Sequence, residues 1–302
     1  MIINVEDDFN IRIDKWISDH AENLSRSYIQ NLIENHNILV DSKPVKSNYK
    51  VSEYDEISII LPDSIEPEIK AENIPLDIVY EDDDIIIINK PKGMVVHPAP
   101  GHYTGTLVNA LMYHCKDNLS GINGVMRPGI VHRIDKDTTG LVVACKNDKA
   151  HLALSEQLKV HSITRKYRAI VNGVIKDDSG TVEGSIARHP ADRKKMTIDN
   201  FRGRPAITHY RVIKRFKNHT YVECQLETGR THQIRVHMKH IGHPVLGDTV
   251  YGPEKCAYKL EGQALHAMVL GFIHPSTKEY VEFISDPEVP GYFSDLLHKL
   301  PG

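Results

Sequence analysis

Apolar positions in the first sixty residues switch from helical to strand spacing. Ile13, Trp16 and Ile17 stand at i, i+3 and i+4, one face of a helix. Ser25 precedes Tyr28, Ile29, Leu32 and Ile33, which predicts a second helix, capped by the serine and facing inward at those four positions. Ile38-Leu39-Val40 and Ile57-Ser58-Ile59-Ile60-Leu61 read as short strands. Asp41-Ser42-Lys43-Pro44 supplies turn chemistry between them. Pro62-Asp63-Ser64-Ile65-Glu66-Pro67-Glu68 follows. Its two prolines and repelling acids predict an extended linker. A boundary is therefore expected within residues 62–75, with a small unit over 1–65 and a larger one over 76–302.

Beyond the boundary helical and strand signals mix. Ile85-Ile86-Ile87-Ile88, Leu141-Val142-Val143-Ala144-Cys145 and Tyr167-Arg168-Ala169-Ile170-Val171 are expected as strands. From Tyr221 to Glu227 apolar and polar residues alternate, with Val222, Cys224 and Leu226 on one face, which predicts a half-buried strand. Asp148 to Lys159 reads as a helix capped by Asn147. Thr231 to Ile241 reads as another, with Ile234, Met238 and Ile241 on one face and Gly242 at its end. The class expected is α+β.

Composition alters this picture little. The chain has 302 residues, 40% apolar and 25% charged, which excludes a fibrous or wholly disordered protein. No apolar run approaches the ~18 residues of a membrane span. No secretory signal is visible at the N-terminus. Cys115, Cys145, Cys224 and Cys256 are widely separated, which argues against a disulfide framework and for a reducing cytoplasm. Charge is more informative once divided. The whole chain carries −3, but residues 1–80 carry −9 and residues 127–240 carry +12. A basic segment within a mildly acidic protein suits a polyanionic partner such as nucleic acid, or is simply a solvated face.

The densest cluster of reactive side chains lies in residues 127–140, a polar loop leading into the strand at Leu141. There, His132-Arg133-Ile134-Asp135 and Thr138-Thr139-Gly140-Leu141 resemble the central motif of the RluA-type pseudouridine synthases. Four further stretches resemble that family's other motifs in the expected order. They are residues 80–98 around Asn89-Lys90-Pro91, Arg165-Lys166-Tyr167-Arg168-Ala169, Thr228-Gly229-Arg230-Thr231-His232-Gln233-Ile234-Arg235-Val236-His237, and Leu265-His266-Ala267 with His274-Pro275. The N-terminal unit is similar to the small α/β RNA-binding domain of a ribosomal small-subunit protein, through Arg12-Ile13-Asp14-Lys15, Ser25-Arg26-Ser27 and Gln30-Asn31-Leu32-Ile33. It departs from that pattern at His36, Asp41-Ser42 and Tyr54, where glycine or Asn-Gly is usual. The combination points to the RluD-like branch, which acts on large-subunit ribosomal RNA.

The resemblance implies a catalytic domain with a mixed, largely antiparallel sheet, and isomerisation of uridine to pseudouridine without cofactor or metal. The target base must be extruded from its stack first. Asp135 is implied as nucleophile, Arg230 as its ion-pair partner and Tyr167 as the surface on which uracil stacks. For Arg230 an RNA-phosphate contact is the alternative. Arg133, Lys136, Arg165, Lys166, Arg235 and Lys239 are candidates for gripping phosphates, and His132 for opening the RNA stack. The partner implied is large-subunit ribosomal RNA or its assembly particle, with no membrane and no obligate protein partner. Two competing readings remain. Asp135-Lys136-Asp137-Thr138 also fits the D-x-D-x-T pattern of magnesium-dependent phosphatases, and a basic chain could bind RNA without catalysis. His232, His237, His240 and His243 are spaced around a helix rather than along one face, and read as surface or RNA-facing rather than as metal ligands.

Overall fold

The structure is a computed structural model, described here for all residues except 8, 22–23, 63–68, 100, 117, 125–126, 286–290 and 302. It divides into Met1–Pro67 and Glu68–Gly302. The expected linker falls largely on residues 63–68, outside the described residues. The second unit starts ahead of residue 76, because Ile69 is buried in its main core and the Glu72 N–H donates to the Asn109 carbonyl at 2.9 Å.

The first unit comprises β1 (Ile2–Asn4), α1 (Ile13–His20), α2 (Arg26–Glu34), β2 (Ile38–Val40), β3 (Lys43–Pro44) and β4 (Glu56–Ile59). The strands form one antiparallel sheet in the order β1-β4-β2-β3. Ile13, Trp16 and Ile17 of α1 pack with Ile29, Leu32 and Ile33 of α2 against Ile38, Val40, Ile57 and Ile59. The Ser25 hydroxyl caps α2 by accepting the Tyr28 N–H at 3.3 Å. Tyr28 itself is exposed rather than inward. The departures seen in sequence sit at left-handed backbone: His36, Asp41, Ser42 and Tyr54 have φ of 58°, 48°, 64° and 70°. Side chains occupy positions that glycine would take with less strain.

The second unit continues with β5 (Ile78–Glu81), β6 (Ile85–Lys90), α3 (Leu107–Cys115), β7 (Thr139–Cys145), α4 (Asp148–Lys159), β8 (Thr164–Asn172), β9 (Ser179–Glu183), β10 (Ile186–Arg188), β11 (Met196–Ile198), β12 (Ile207–Arg215) and β13 (His219–Leu226). It ends with α5 (Gln233–His240), β14 (Leu265–Ile273), β15 (Tyr280–Ile284) and α6 (Tyr292–Lys299). Nine strands form one sheet, β5-β6-β7-β14-β8-β13-β12-β9, with β15 on β14; β10 and β11 form a separate hairpin. Among the described residues only β7 and β14 pair in parallel, near the middle of the sheet. At that junction a Cβ on Gly140 would lie 2.2 Å from the Ala267 carbonyl oxygen, and its φ of +105° also excludes other residues.

Both faces of the sheet are covered, which explains the continuous apolar runs. Ile86, Ile88, Val142 and Ala144 face α3 and the core that includes Ile234 and Met238 of α5. Ile85, Ile87, Leu141, Val143 and Cys145 face Ala150 and Leu154 of α4. The α4 expectation holds, with Asn147 capping it by accepting the Ala150 N–H; α5 starts at Gln233 rather than at Thr231, because His232 takes left-handed backbone, and Ile241 packs beside Ile234 and Met238. The half-buried reading of β13 is corrected in part. Val222, Cys224 and Leu226 are inward as expected, but Tyr221 on the other face is also buried, beneath Phe293 and Leu296 of α6. No helix among the described residues is long and apolar enough to cross a membrane.

Candidate active site

Asp135 sits in the loop entering β7, and the peptide after it is clamped. The Lys136 carbonyl accepts the Gly93 N–H at 3.0 Å and the Lys90 ammonium at 2.9 Å. Lys90 is wholly buried, and its other two bonds go to the carbonyls of Pro91 and Met94 at 2.7 and 2.8 Å. Burial pulls the Lys90 pKa down to about 7, against the opposing charges of Asp137 and Asp135. On the far side the Asp135 carbonyl accepts the Thr138 N–H at 3.1 Å, and the Thr138 hydroxyl accepts from Gln263 at 2.9 Å.

The partner of the Asp135 carboxylate is Arg235, not Arg230. Arg235 Nη1 donates to Asp135 Oδ2 at 2.8 Å. Arg235 also donates through Nε and Nη2 to the two oxygens of Asp248, at 2.7 and 2.9 Å. Asp248 is itself fixed, accepting the N–H groups of Val250 and Tyr251. Burial alone would raise the Asp248 carboxyl, but bonds from Arg235 and that residue's charge hold it below the ordinary range. Burial works against the Arg235 charge as well, and the two carboxylates outweigh it. The guanidinium also lies over the Tyr251 ring, 5.1 Å from its centroid. Arg235 is thus removed from the phosphate-gripping set. Arg230 turns its Nε to the Pro205 carbonyl at 3.0 Å while still lining the pocket.

The pocket encloses about 300 Å³, the low end of the range for small-molecule sites. Ile134, Tyr167, Leu226, Ile234 and Leu265 give it apolar walls, and Asp135 is the only carboxylate among its described lining residues. Burial raises the Tyr167 phenol pKa, and its hydroxyl makes no hydrogen bond to a described residue. Asp135 Oδ1 accepts no hydrogen bond from a described residue; His232 Nε2 stands 3.8 Å from it. His232 adopts left-handed backbone (φ 57°) before α5, and its Nδ1 is 2.8 Å from the Tyr251 hydroxyl. That hydroxyl also accepts the Met196 N–H at 2.7 Å. Burial lowers the His232 pKa, with Asp135 opposing.

The other candidates separate by position. Arg165 and Tyr167 share a face of β8 and line the pocket; Lys166, between them, belongs to the opposite face. Arg165 is buried, with Nη2 on the Glu227 carbonyl at 3.0 Å and no hydrogen-bond partner for Nε. Its Nη1 lies 2.4 Å from where a Cβ on Gly229 would be, so a side chain there would push the guanidinium aside. Arg133 is exposed beside the pocket, its Nη1 3.4 Å from His97 Nε2. Lys136 and Lys239 are exposed but do not line the pocket. His132 accepts the Val143 N–H at 3.0 Å, and burial lowers its pKa to about 3, so it is a neutral acceptor inside the loop. Asp137, needed by the phosphatase reading, lies outside the pocket lining and packs over Gly262. The other three histidines in question turn to separate partners or to solvent. The surface expectation fails for His237, which is fully buried and bonds Thr208; His243 bonds the Asn172 carbonyl, and His240 is exposed.

Lys90, Asp248, Tyr251 and His232 were not assigned roles from the sequence. Lys90 and His232 stand inside the recognised motifs, which was the available signal. Asp248 and Tyr251 lie beyond them in a loop with no distinguishing pattern.

Two family models match the chain: an RNA pseudouridylate synthase model over residues 84–240 and an S4 domain model over residues 11–57. An RNA pseudouridine synthase of Bacillus subtilis, YlyB, is 52% identical over 289 residues, covering 96% of this chain and 94% of its own. The ribosomal large subunit pseudouridine synthase D of Zymomonas mobilis is 47% identical, covering 92% of this chain and 90% of its own. Among solved structures, human RNA pseudouridylate synthase domain containing 4 superposes with a TM-score of 0.56 at 26% identity, covering 74% of this chain and 94% of that one.

Proposed function

The chain belongs to the RNA pseudouridylate synthase family, with an S4 domain ahead of the catalytic one, and from that premise we propose that it modifies large-subunit ribosomal RNA with Asp135 as nucleophile. Uridine isomerisation in RNA is the activity of the family. The finer reading is supported by one observation above all. Asp135 is the single carboxylate among the described pocket-lining residues, it is held by a buried arginine through one oxygen, and an inward-facing tyrosine shares the pocket. Relatives named as ribosomal large subunit pseudouridine synthase D support the substrate class.

The reaction breaks the bond from ribose C1′ to uracil N1 and forms one from C1′ to C5. A proton leaves C5 and one is taken up at N1, so the atoms balance within substrate and water. An extruded uracil stacks on Tyr167 between the apolar walls, an arrangement typically worth about 1–3 kcal/mol per base. Arg235 holds the Asp135 carboxylate in place through its bond to Oδ2. The Oδ1 atom remains available to react. Arg230 and Arg133 at the pocket, with the N-terminal unit, hold the surrounding RNA. Work inside the cell, in the cytoplasm, follows from such a substrate.

The test uses large-subunit ribosomal RNA tritiated at uracil C5. Tritium release by the full chain, with pseudouridine in the digested RNA and no release by Asp135→Asn, is the expected result. Equal release by both proteins would remove Asp135 from the mechanism. Release only from another RNA class would remove the ribosomal assignment.

A further inference from the structure

The hairpin β10–β11 and its two end loops, residues 186–204, are not part of the large sheet and are not used by the chemistry above. They carry six Lys or Arg against two Asp, a net charge of +4 over nineteen residues. Arg188, Arg193, Lys194, Arg202 and Arg204 are exposed. Beyond β11 stands Phe201, which is 100% exposed. A single exposed apolar side chain needs no explanation by itself. The setting of this one does.

Phe201 is held on a built turn. Asp199 Oδ1 accepts the N–H groups of both Phe201 and Arg202, at 3.0 and 3.1 Å. Asp199 Oδ2 takes the Arg202 Nε at 2.8 Å, and the Asp199 carbonyl takes the Gly203 N–H. Asn200 reaches back to the Ser185 N–H at 2.9 Å. The turn has no space for a side chain at Gly203, where a Cβ would lie 2.4 Å from the Asp199 carbonyl oxygen. The ring is therefore presented to water by a hydrogen-bonded turn, with Arg202 and Arg204 following it in the chain.

The hairpin is anchored beside the pocket. The Met196 N–H bonds the Tyr251 hydroxyl, which in turn bonds His232 next to Asp135. The Pro205 carbonyl, directly after Arg204, accepts Arg230 Nε at the pocket. Ile186 packs with Val236 of α5 and with Tyr251. A cationic arm that carries an aromatic ring thus stands beside the pocket.

Resting on the RNA reading above, we propose that this arm grips the substrate strand flanking the extruded uridine, with Phe201 stacking on an unpaired base and Arg202 and Arg204 contacting phosphates. Aromatic faces interleaved with cations are the composition that holds single-stranded nucleic acid. The positive charge favours a polyanion over a protein partner.

The test is made on the full chain with the tritiated ribosomal RNA, measuring binding and turnover separately. Phe201→Ser raises the RNA Kd about tenfold while the single-turnover rate at saturating RNA stays within about twofold. Phe201→Trp keeps the parent's affinity, and RNA quenches the emission it adds over that of Trp16, which is buried in the other unit and is the chain's only tryptophan. Replacing both Arg202 and Arg204 by Ala reduces the slope of log K against log salt by about 1.4. Parent-like binding by Phe201→Ser, or an unchanged salt slope, overturns the proposal. So does a Phe201→Ser defect without quenching in F201W, which would mark an apolar contact of another kind. Tritium release by the unaltered chain reports on the family reading independently of all these outcomes.

Discussion

Arg235 Nη1 lies 2.8 Å from Asp135 Oδ2, although the two residues are one hundred positions apart in the chain. The contact joins the loop before β7 to the buried side of α5. It uses one end of a guanidinium whose other nitrogens are fixed on Asp248. Asp248 has no exposed side-chain surface and does not line the pocket, so it acts on the reaction only by aiming Arg235.

Asp248→Asn should therefore impair the chemical step without impairing RNA binding. The amide keeps the volume but places an NH₂ against a guanidinium, so one of the paired bonds is lost. Displacing a catalytic group by about 1 Å can cost on the order of 10²-fold in rate. The single-turnover rate at saturating RNA should fall by about that factor, with the Kd for RNA unchanged. A parallel loss of binding would mean that Asp248 supports the fold rather than the orientation of Arg235.

How much of this was legible in the sequence depended on whether the signal was local. The Ile85–Ile88 run showed a strand buried on both faces, because four adjacent isoleucines leave no polar side. The helix of Ile234 and Met238 was readable from spacing. The choice between Arg230 and Arg235 was not, since both lie in the same motif. What decides it is where α5 begins: His232 takes left-handed backbone and the helix starts at Gln233, which turns Arg235 inward and leaves Arg230 in the preceding loop. The burial of Tyr221 was hidden for a similar reason. It depends on α6, more than sixty residues later, and strand alternation says nothing about what covers the second face.

Lys90 makes a second long-range prediction. Its ammonium has three protons and three carbonyl acceptors, on Pro91, Met94 and Lys136. Lys90→Met preserves most of the apolar stem and removes all three bonds. Leaving a carbonyl without a partner costs about 1–3 kcal/mol; those of Pro91 and Met94 lose theirs while that of Lys136 keeps the Gly93 N–H, so a loss of about 2 kcal/mol or more is expected for the catalytic unit. Urea unfolding followed by far-ultraviolet circular dichroism measures it. The variant that survives folding should also turn over slowly, because the Lys136 carbonyl adjoins Asp135. Parent-like stability would show that solvent or local rearrangement satisfies those carbonyls.

The N-terminal unit offers a pH test with a built-in reporter. Asp14 is fully buried and accepts paired bonds from Arg12 and Arg26 and a further one from Gln30 at 2.7 Å. Burial alone would raise its carboxyl, but the bonds from Arg12, Gln30 and Arg26 bring the pKa from 3.8 down to about 2. A carboxyl lowered on folding stabilises the folded state above its unfolded pKa, and the benefit disappears as pH falls through the folded value. The contribution, about 2 kcal/mol, is thus complete above about pH 4 and gone near pH 2. Trp16 lies in the same core and is the chain's only tryptophan, so its fluorescence follows this unit alone. Denaturation of the parent and of Asp14→Asn should differ by about that amount at pH 5. The gap should close as pH falls towards 2, where the parent's protonated carboxyl no longer carries a charge for the arginines. A gap that stays constant down to pH 2 would show that Asp14 stabilises the unit by packing and neutral hydrogen bonds instead of by its charge.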